Sequence, residues 1–207
     1  LALRNDMDGV PPLTQDEIMP GGEFEYSFTA ENPGTHWFHP HVGPPLDRGL
    51  YAPLIIEDPR EPLAYDHEWV LVLDDWLDGV SSTPEDVLAE LQSSGGMHGR
   101  GRMMGGRGSA GSDETEPSRA GNLLTGATSE VLGGHAGDVY YPYFLINGRP
   151  KADPETFEAR PGDRIRLRII NAAGDTAFRF SIGAHTLVVT HSDGYPVVHA
   201  EGESVLL

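Results

Sequence analysis

The sequence predicts an all-β chain of sandwich type, and two observations carry that expectation. Hydrophobic residues make up 38% of the 207 residues, alongside 26 Gly and 17 Pro. That composition suits a turn-rich β protein better than a helical bundle. The apolar stretches are short, alternate with polar residues and are cut off by turn residues, which is the pattern of half-buried strands.

Taken in order, Glu23-Phe24-Glu25-Tyr26-Ser27-Phe28 alternates polar and aromatic side chains. It predicts a strand between the turn signals Pro20-Gly21-Gly22 and Asn32-Pro33-Gly34. Leu54-Ile55-Ile56 reads as a short buried strand stopped by Asp58-Pro59, and Arg60-Glu61-Pro62 reads as a linker. The chain then divides into a first part, 1–60, and a second, 61–207. Glu68-Trp69-Val70-Leu71-Val72-Leu73 opens the second part as another buried strand. Thr83-Pro84-Glu85-Asp86 starts a helix: threonine caps, proline suits the first helical position, and the acids favour the positive end of the dipole. Val87, Leu88 and Leu91 give that helix an apolar face, and Ser93-Ser94-Gly95-Gly96 is expected to end it. Residues 95–121 are rich in Gly, Ser and Arg with little to bury, predicting an exposed, mobile insertion. Strand signals resume at Tyr143-Phe144-Leu145-Ile146. After a turn at Arg160-Pro161-Gly162-Asp163, Ile165, Leu167 and Ile169 alternate with arginines. Phe178, Phe180 and Ile182 repeat the alternation before Thr186-Leu187-Val188-Val189.

Charge excludes some functions. With 14 Lys and Arg against 32 Asp and Glu, the net charge is −18. Such a surface repels phosphate backbones and leaves nucleic acid a poor partner. No apolar run approaches the ~20 residues that a membrane-spanning helix needs. The absence of cysteine fits any redox compartment and decides nothing about location.

The run Gly34-Thr35-His36-Trp37-Phe38-His39-Pro40-His41 is the most informative stretch. On a strand, His39 and His41 project to one face with Cα atoms about 7 Å apart, while His36 turns to the other. Metal–imidazole bonds are only about 2.0–2.1 Å long, so each of the two rings suits one metal of a closely spaced pair. The plain alternative is a chance pair of solvated histidines among the nine in the chain.

The surrounding residues resemble the multicopper oxidases, the copper enzymes that include laccases, bacterial copper-resistance oxidases and ferroxidases. The resemblance is carried by Asn5-Asp6-Met7-Asp8-Gly9-Val10-Pro11, Thr14-Gln15, Pro20-Gly21-Gly22, the Gly34 to His41 run, and Asp47-Arg48-Gly49-Leu50-Tyr51-Ala52-Pro53-Leu54-Ile55-Ile56. Asp74-Asp75-Trp76, Leu145-Ile146-Asn147-Gly148-Arg149, Arg166-Leu167-Arg168-Ile169-Ile170-Asn171 and Asp193-Gly194 resemble the family's second domain. Pro44-Pro45 departs from the pattern where a glutamine commonly precedes Leu46.

The resemblance implies cupredoxin-type Greek-key sandwich domains, one partial and one nearly complete. It implies that His39 and His41 hold the type 3 copper pair, one copper each, and that Asp8 serves protons from just outside the cluster. The type 1 and type 2 coppers need ligands from a preceding His-x-His pair and a later His-Cys-His pattern. The expectation is therefore a fragment that is inactive alone, comprising the end of domain one and most of a copper-free middle domain. Arg179 and Ser181 occupy the positions at which a copper-closing domain would carry histidines, and neither is a suitable ligand for Cu(II). The parent would take single electrons from phenols, aromatic amines or low-valent metal ions, reduce oxygen to water, and act in a secreted or periplasmic location.

Other histidines invite plainer readings. His36 faces away from the pair and reads as a packing or surface residue; His67, His185, His191 and His199 lack partners at ligand spacing and read as structural, as does His135 between glycines. Met97, His98, Met103 and Met104 suit Cu(I) by chemistry, but insertion composition accounts for them. The rival function is a non-enzymatic cupredoxin-like module that holds copper without turnover. A copper nitrite reductase fits less well, since its corresponding segment would carry a His-Cys pair.

Overall fold

The computed structural model describes residues 2–98 and 118–207. In the first part, β1 (Gly34–Phe38) pairs antiparallel with β2 (Ala52–Ile56), with Gly34 opposite Ile56 and Phe38 opposite Ala52. β-branched and aromatic residues favour the pleated conformation of β1. Pro40 has no N–H to offer a ladder and biases His39 away from helix, so the strand stops at Phe38. His39 and His41 accordingly sit in the loop after the strand rather than on it.

The sheet that organises the second part is built on β3 (His67–Trp76). It is followed by α1 (Pro84–His98) and by four short strands: β4 (Ser118–Ala120), β5 (Leu123–Thr125), β6 (Thr128–Ser129) and β7 (Gly134–His135). The chain returns as β8 (Tyr143–Ile146), β9 (Arg149–Pro150) and β10 (Ile165–Asn171). It ends with β11 (Arg179–Phe180), β12 (Leu187–Ser192), β13 (Tyr195–Gly202) and β14 (Val205–Leu206). The four-stranded sheet has the order β10-β3-β8-β9, with β10 parallel and β8 antiparallel to β3. As the second strand of that sheet, β3 is buried continuously from Leu71 to Asp75, as expected of a strand covered on both faces.

Two apolar clusters hold these elements together. Leu77, Val87, Val139 and Tyr141 pack beneath α1, with Leu91 and Leu123 against them. Val72, Ile170 and Ala172 form the second cluster, on which Trp37 and Tyr51 of the first part are seated. The capping of α1 follows the sequence, since the Asp86 N–H donates to Thr83 Oγ1 at 3.2 Å.

Several expectations are corrected. Residues 23–28 enter no ladder among the described residues, and Phe24, Tyr26 and Phe28 are exposed. Alternation alone cannot supply a pairing partner. The helix continues past Ser93–Gly96 to His98, taking in Met97 and His98, and Leu88 faces solvent. Most of the expected insertion, including Met103 and Met104, lies outside the described residues. On β10 the alternation is real but inverted: Arg166 and Arg168 point inward with Ile170, while Ile165, Leu167 and Ile169 are only half-buried.

Those inward arginines meet the linker. Arg166 Nη1 lies 2.9 Å from Glu61 Oε1, and Arg168 Nη2 donates to Glu61 Oε2 at 3.0 Å. Arg168 also pairs with Glu68 at 2.7 Å, and its Nη1 donates to Thr35 Oγ1 on β1 at 3.2 Å. Arg166 additionally donates to Thr190 Oγ1 at 2.9 Å and to the Pro62 carbonyl at 2.7 Å. A buried ionic network therefore joins β1, the linker, β3, β10 and β12.

Candidate metal centre

The register of β1 and β2 builds the site. Phe38 lies opposite Ala52, so the residues just beyond each strand, His39 and Tyr51, come alongside at the end of the ladder. Trp37 presents one face to the His39 ring, with centroids 4.5 Å apart and planes at 31°. His39 in turn stacks on His41 at 4.8 Å with an interplanar angle of 25°. On the other side, the Trp37 and Tyr51 rings meet edge-on at 6.3 Å.

The hydrogen bonding of His39 selects its tautomer. Its Nδ1 lies 3.2 Å from the Pro40 carbonyl, an oxygen that only accepts, so Nδ1 carries the proton. The lone pair of the neutral ring is then on Nε2, the arrangement that metal-ligating histidines adopt when a backbone carbonyl fixes the other nitrogen. His39 is half-buried and His41 exposed. Two imidazoles side by side are a donor set that fits copper chemically. Among the described residues, no three His, Cys, Asp or Glu side chains converge on one metal position. The pair is thus a contribution to a centre rather than a closed one.

His36 plays a different part. It is 7% exposed, and its Nε2 donates to the Asn32 carbonyl at 3.2 Å. Burial holds its pKa below the usual imidazole value. A side chain at Gly194 would approach His36 Cε1 to 2.6 Å, so the β12–β13 turn closes directly over this ring. Only glycine fits that turn, which also has φ 79°.

Asp8 ends a 3-10 turn over Asn5–Met7, with its N–H donating to the Asn5 carbonyl at 3.2 Å. Gly9 follows at φ 79°, so the Asp-Gly pair does form a turn. The Asp8 carboxylate is exposed. Among the described residues, no hydrogen bond joins it to His39 or His41. The structure thus stacks the two imidazoles on each other, and Asp8 makes no direct hydrogen bond to either among the described residues.

A second group, a set of buried acids, lies beyond Trp37 and Tyr51, in the Asp74-Asp75-Trp76 segment that carried part of the resemblance. Asp74 and Asp75 are 2% and 1% exposed. Tyr51 donates its hydroxyl hydrogen to Asp74 Oδ2 at 2.6 Å. Asp75 accepts from the Gly174 and Asp175 N–H groups at 2.9 and 3.2 Å and from Thr176 Oγ1 at 2.6 Å. Burial, reinforced by charge on Asp75, pushes the Asp74 carboxyl up to about 6 and raises Asp47 as well. Tyr51 is raised by burial and by its bond to Asp74. Tyr51, Asp74, Trp76, Tyr143, Phe144 and Arg48 are among the residues lining a cleft of 1220 Å³. The signal for this group was two adjacent acids inside an otherwise apolar run.

Comparison with known proteins follows the same division of the chain. Two family profiles, both described as multicopper oxidase, match residues 1–61 and 67–207. The multicopper oxidase MmcO of Mycobacterium tuberculosis is 46% identical over 207 residues, covering 100% of this chain and 38% of that protein. Copper resistance protein A of Escherichia coli is 31% identical, covering 94% of this chain and 32% of its own length. Laccase-2 of Cryptococcus neoformans is 31% identical over 92% of this chain and 29% of its own. The chain therefore spans well under half the length of these relatives. Among solved structures, the multicopper oxidase of Pseudomonas thermotolerans superposes with a TM-score of 0.61 at 26% identity, covering 98% of this chain and 39% of that one. Fet3p, a multicopper oxidase that functions in iron import, superposes at 0.68 with 24% identity over 98% of this chain and 30% of that one. The fold is all-β and cupredoxin-like.

Proposed function

This chain belongs to the multicopper oxidase family, and from that membership we propose that it forms part of a laccase-like oxidase. The parent takes single electrons from phenols, aromatic amines or low-valent metal ions and reduces oxygen to water. The carrying observation is the stacked His39–His41 pair, with His39 Nδ1 held by the Pro40 carbonyl so that the ring's lone pair is on Nε2.

In this reading His39 and His41 each hold one copper of the type 3 pair. Copper bound there supplies stepwise electron uptake and a place for oxygen to react. Trp37 backs the His39 ring, and the Pro40 carbonyl fixes its tautomer, so both restrict the ring before metal arrives. Asp8 is the proton carrier, because reducing oxygen to water consumes four protons for four electrons and an exposed carboxylate exchanges protons with solvent. The residues 1–60 form the end of a first cupredoxin domain, and 61–207 form a copper-free middle domain. The chain alone contains no cysteine for a type 1 copper and is expected to be inactive by itself. We place the parent in the periplasm or outside the cell. Among the described residues, no helix is long and apolar enough to cross a membrane.

The test uses the full-length protein and reads oxygen uptake with a phenol or ferrous iron alongside copper content. The oxidase reading expects uptake that depends on both imidazoles, so that His39→Ala and His41→Ala lose copper and activity together. A cupredoxin-like binding module would hold copper and consume no oxygen, and that result would replace this reading.

A further inference from the structure

The rings around His39 continue away from it without a gap. His41 stacks on His39, His39 on Trp37, and Trp37 meets Tyr51, whose hydroxyl donates to Asp74 at 2.6 Å. The two central rings rest on the Val72, Ile170 and Ala172 cluster, so their geometry is held by core packing rather than by surface rotamers. At the far end, Tyr51 and Asp74 line the wall of the 1220 Å³ cleft.

Electron exchange between side chains weakens steeply with separation, so adjoining aromatic rings provide short steps where one long step would fail. A phenol oxidised by one electron becomes a strong acid. A base already bonded to its hydroxyl therefore makes the loss easier by taking the proton in the same event. The geometry points to Tyr51 as a redox-active residue: with Asp74 as its proton acceptor and Trp37 as the bridge to His39, it forms a one-electron relay between the histidine pair and the cleft.

The balance is simple. A one-electron oxidant at the histidine end, a partly reduced oxygen species formed when the reducing substrate is exhausted, receives one electron. Tyr51 supplies that electron, its O–H bond breaks, and the proton passes to Asp74, leaving a neutral phenoxyl. Trp37 and His39 transmit the electron and end unchanged. A phenol in the cleft then returns an electron and loses its own proton to solvent, becoming a free phenoxyl, while Asp74 returns its proton to Tyr51. The net result is one electron moved from the cleft to the oxidant, which spares His39 and His41 from being oxidised themselves. The relay's direction toward His39 rests on the copper reading above, whereas the chemistry of Tyr51 with Asp74 does not.

The experiment therefore has two arms, both on the full-length protein. In the first, copper-depleted protein is oxidised by flash-generated tris(bipyridyl)ruthenium(III), and radicals are read by electron paramagnetic resonance. A neutral tyrosyl signal with a solvent deuterium isotope effect is expected. Tyr51→Phe, which keeps the ring against Trp37, should lose that signal, and Asp74→Asn should slow its formation and remove the isotope effect. Circular dichroism checks that both variants are folded. An unchanged signal in Tyr51→Phe, or unchanged kinetics in Asp74→Asn, overturns the proposal. In the second arm the copper-loaded protein is held in oxygen without reductant, and oxidised His39 and His41 are counted by peptide mass spectrometry. At equal copper content, Trp37→Phe and Tyr51→Phe should accumulate this damage faster than the parent. Equal damage overturns the link to the histidine end. Copper retained in His39→Ala would instead overturn the metal reading, while leaving the first arm intact.

Discussion

Asp74 has lost nearly all of its solvent and sits beside a second buried acid, Asp75, so its carboxyl is pushed up to about 6 by burial first and by that neighbouring charge second. For an acid whose folded pKa exceeds its unfolded value, the associated stability is fully present below the unfolded value and is lost as pH rises through the folded one. Asp74→Asn removes that penalty. The substitution should raise the unfolding free energy above pH 6, by an amount on the order of 3 kcal/mol, and leave it unchanged near pH 4. Thermal unfolding followed at both pH values measures the difference, and a gain that is equal at the two would contradict the burial argument. Asp8 makes a separate case. If it carries protons, Asp8→Asn should slow oxygen reduction by about 10²-fold or more while copper content stays intact. A rate within twofold of the parent would reduce Asp8 to its turn. The histidine pair was legible in the sequence because spacing and chemistry sit in adjacent letters. The Tyr51–Asp74 bond was not, because the two residues are 23 apart in sequence and meet only when the loop before β2 packs against β3.

Among the elements, the instructive failures concern direction and partnership. The alternation on β10 correctly gave its period, but period does not say which face is inward. Arginines were free to occupy the buried face only because Glu61, Glu68, Thr35 and Thr190 satisfy them there. The network is not perfectly satisfied. Arg166 approaches Glu61 Oε1 at 2.9 Å out of line for a hydrogen bond, and Arg168 Nε lacks an acceptor among the described residues. Removing the carboxylate leaves Arg166 buried with no acid beside it among the described residues and Arg168 with Glu68 alone, and breaking such a buried pair typically costs about 3–5 kcal/mol. Glu61→Ala should therefore lower the chemical denaturation midpoint by far more than Arg164→Ala, which removes an exposed pair with Asp66. Comparable effects from the two would show that the linker is not anchored by this charge. Residues 23–28 fail in the other direction: the strand period is written there, yet a strand exists only when another backbone accepts its hydrogen bonds.

For the molecule as a whole, fold class was readable because the composition and the short interrupted strands agreed, and because Gly and Pro fell between the runs rather than inside them. How the two parts sit together was not readable, since it rests on side chains brought from distant positions. Trp37 and Tyr51 settle on the second part's core, the β12–β13 turn closes on His36, and the linker carboxylate binds β10. Through those contacts the second part, which supplies neither of the proposed copper ligands, holds the strand that delivers them. The acidic surface, at −18, adds a field that draws cations, including metal ions, toward the molecule. The most direct test of the central claim is anomalous scattering at the copper edge from crystals of the full-length protein. The account expects two copper peaks, one about 2.0–2.1 Å from an imidazole nitrogen of His39 and the other equally near His41. Copper peaks that leave both rings without a metal neighbour would contradict it.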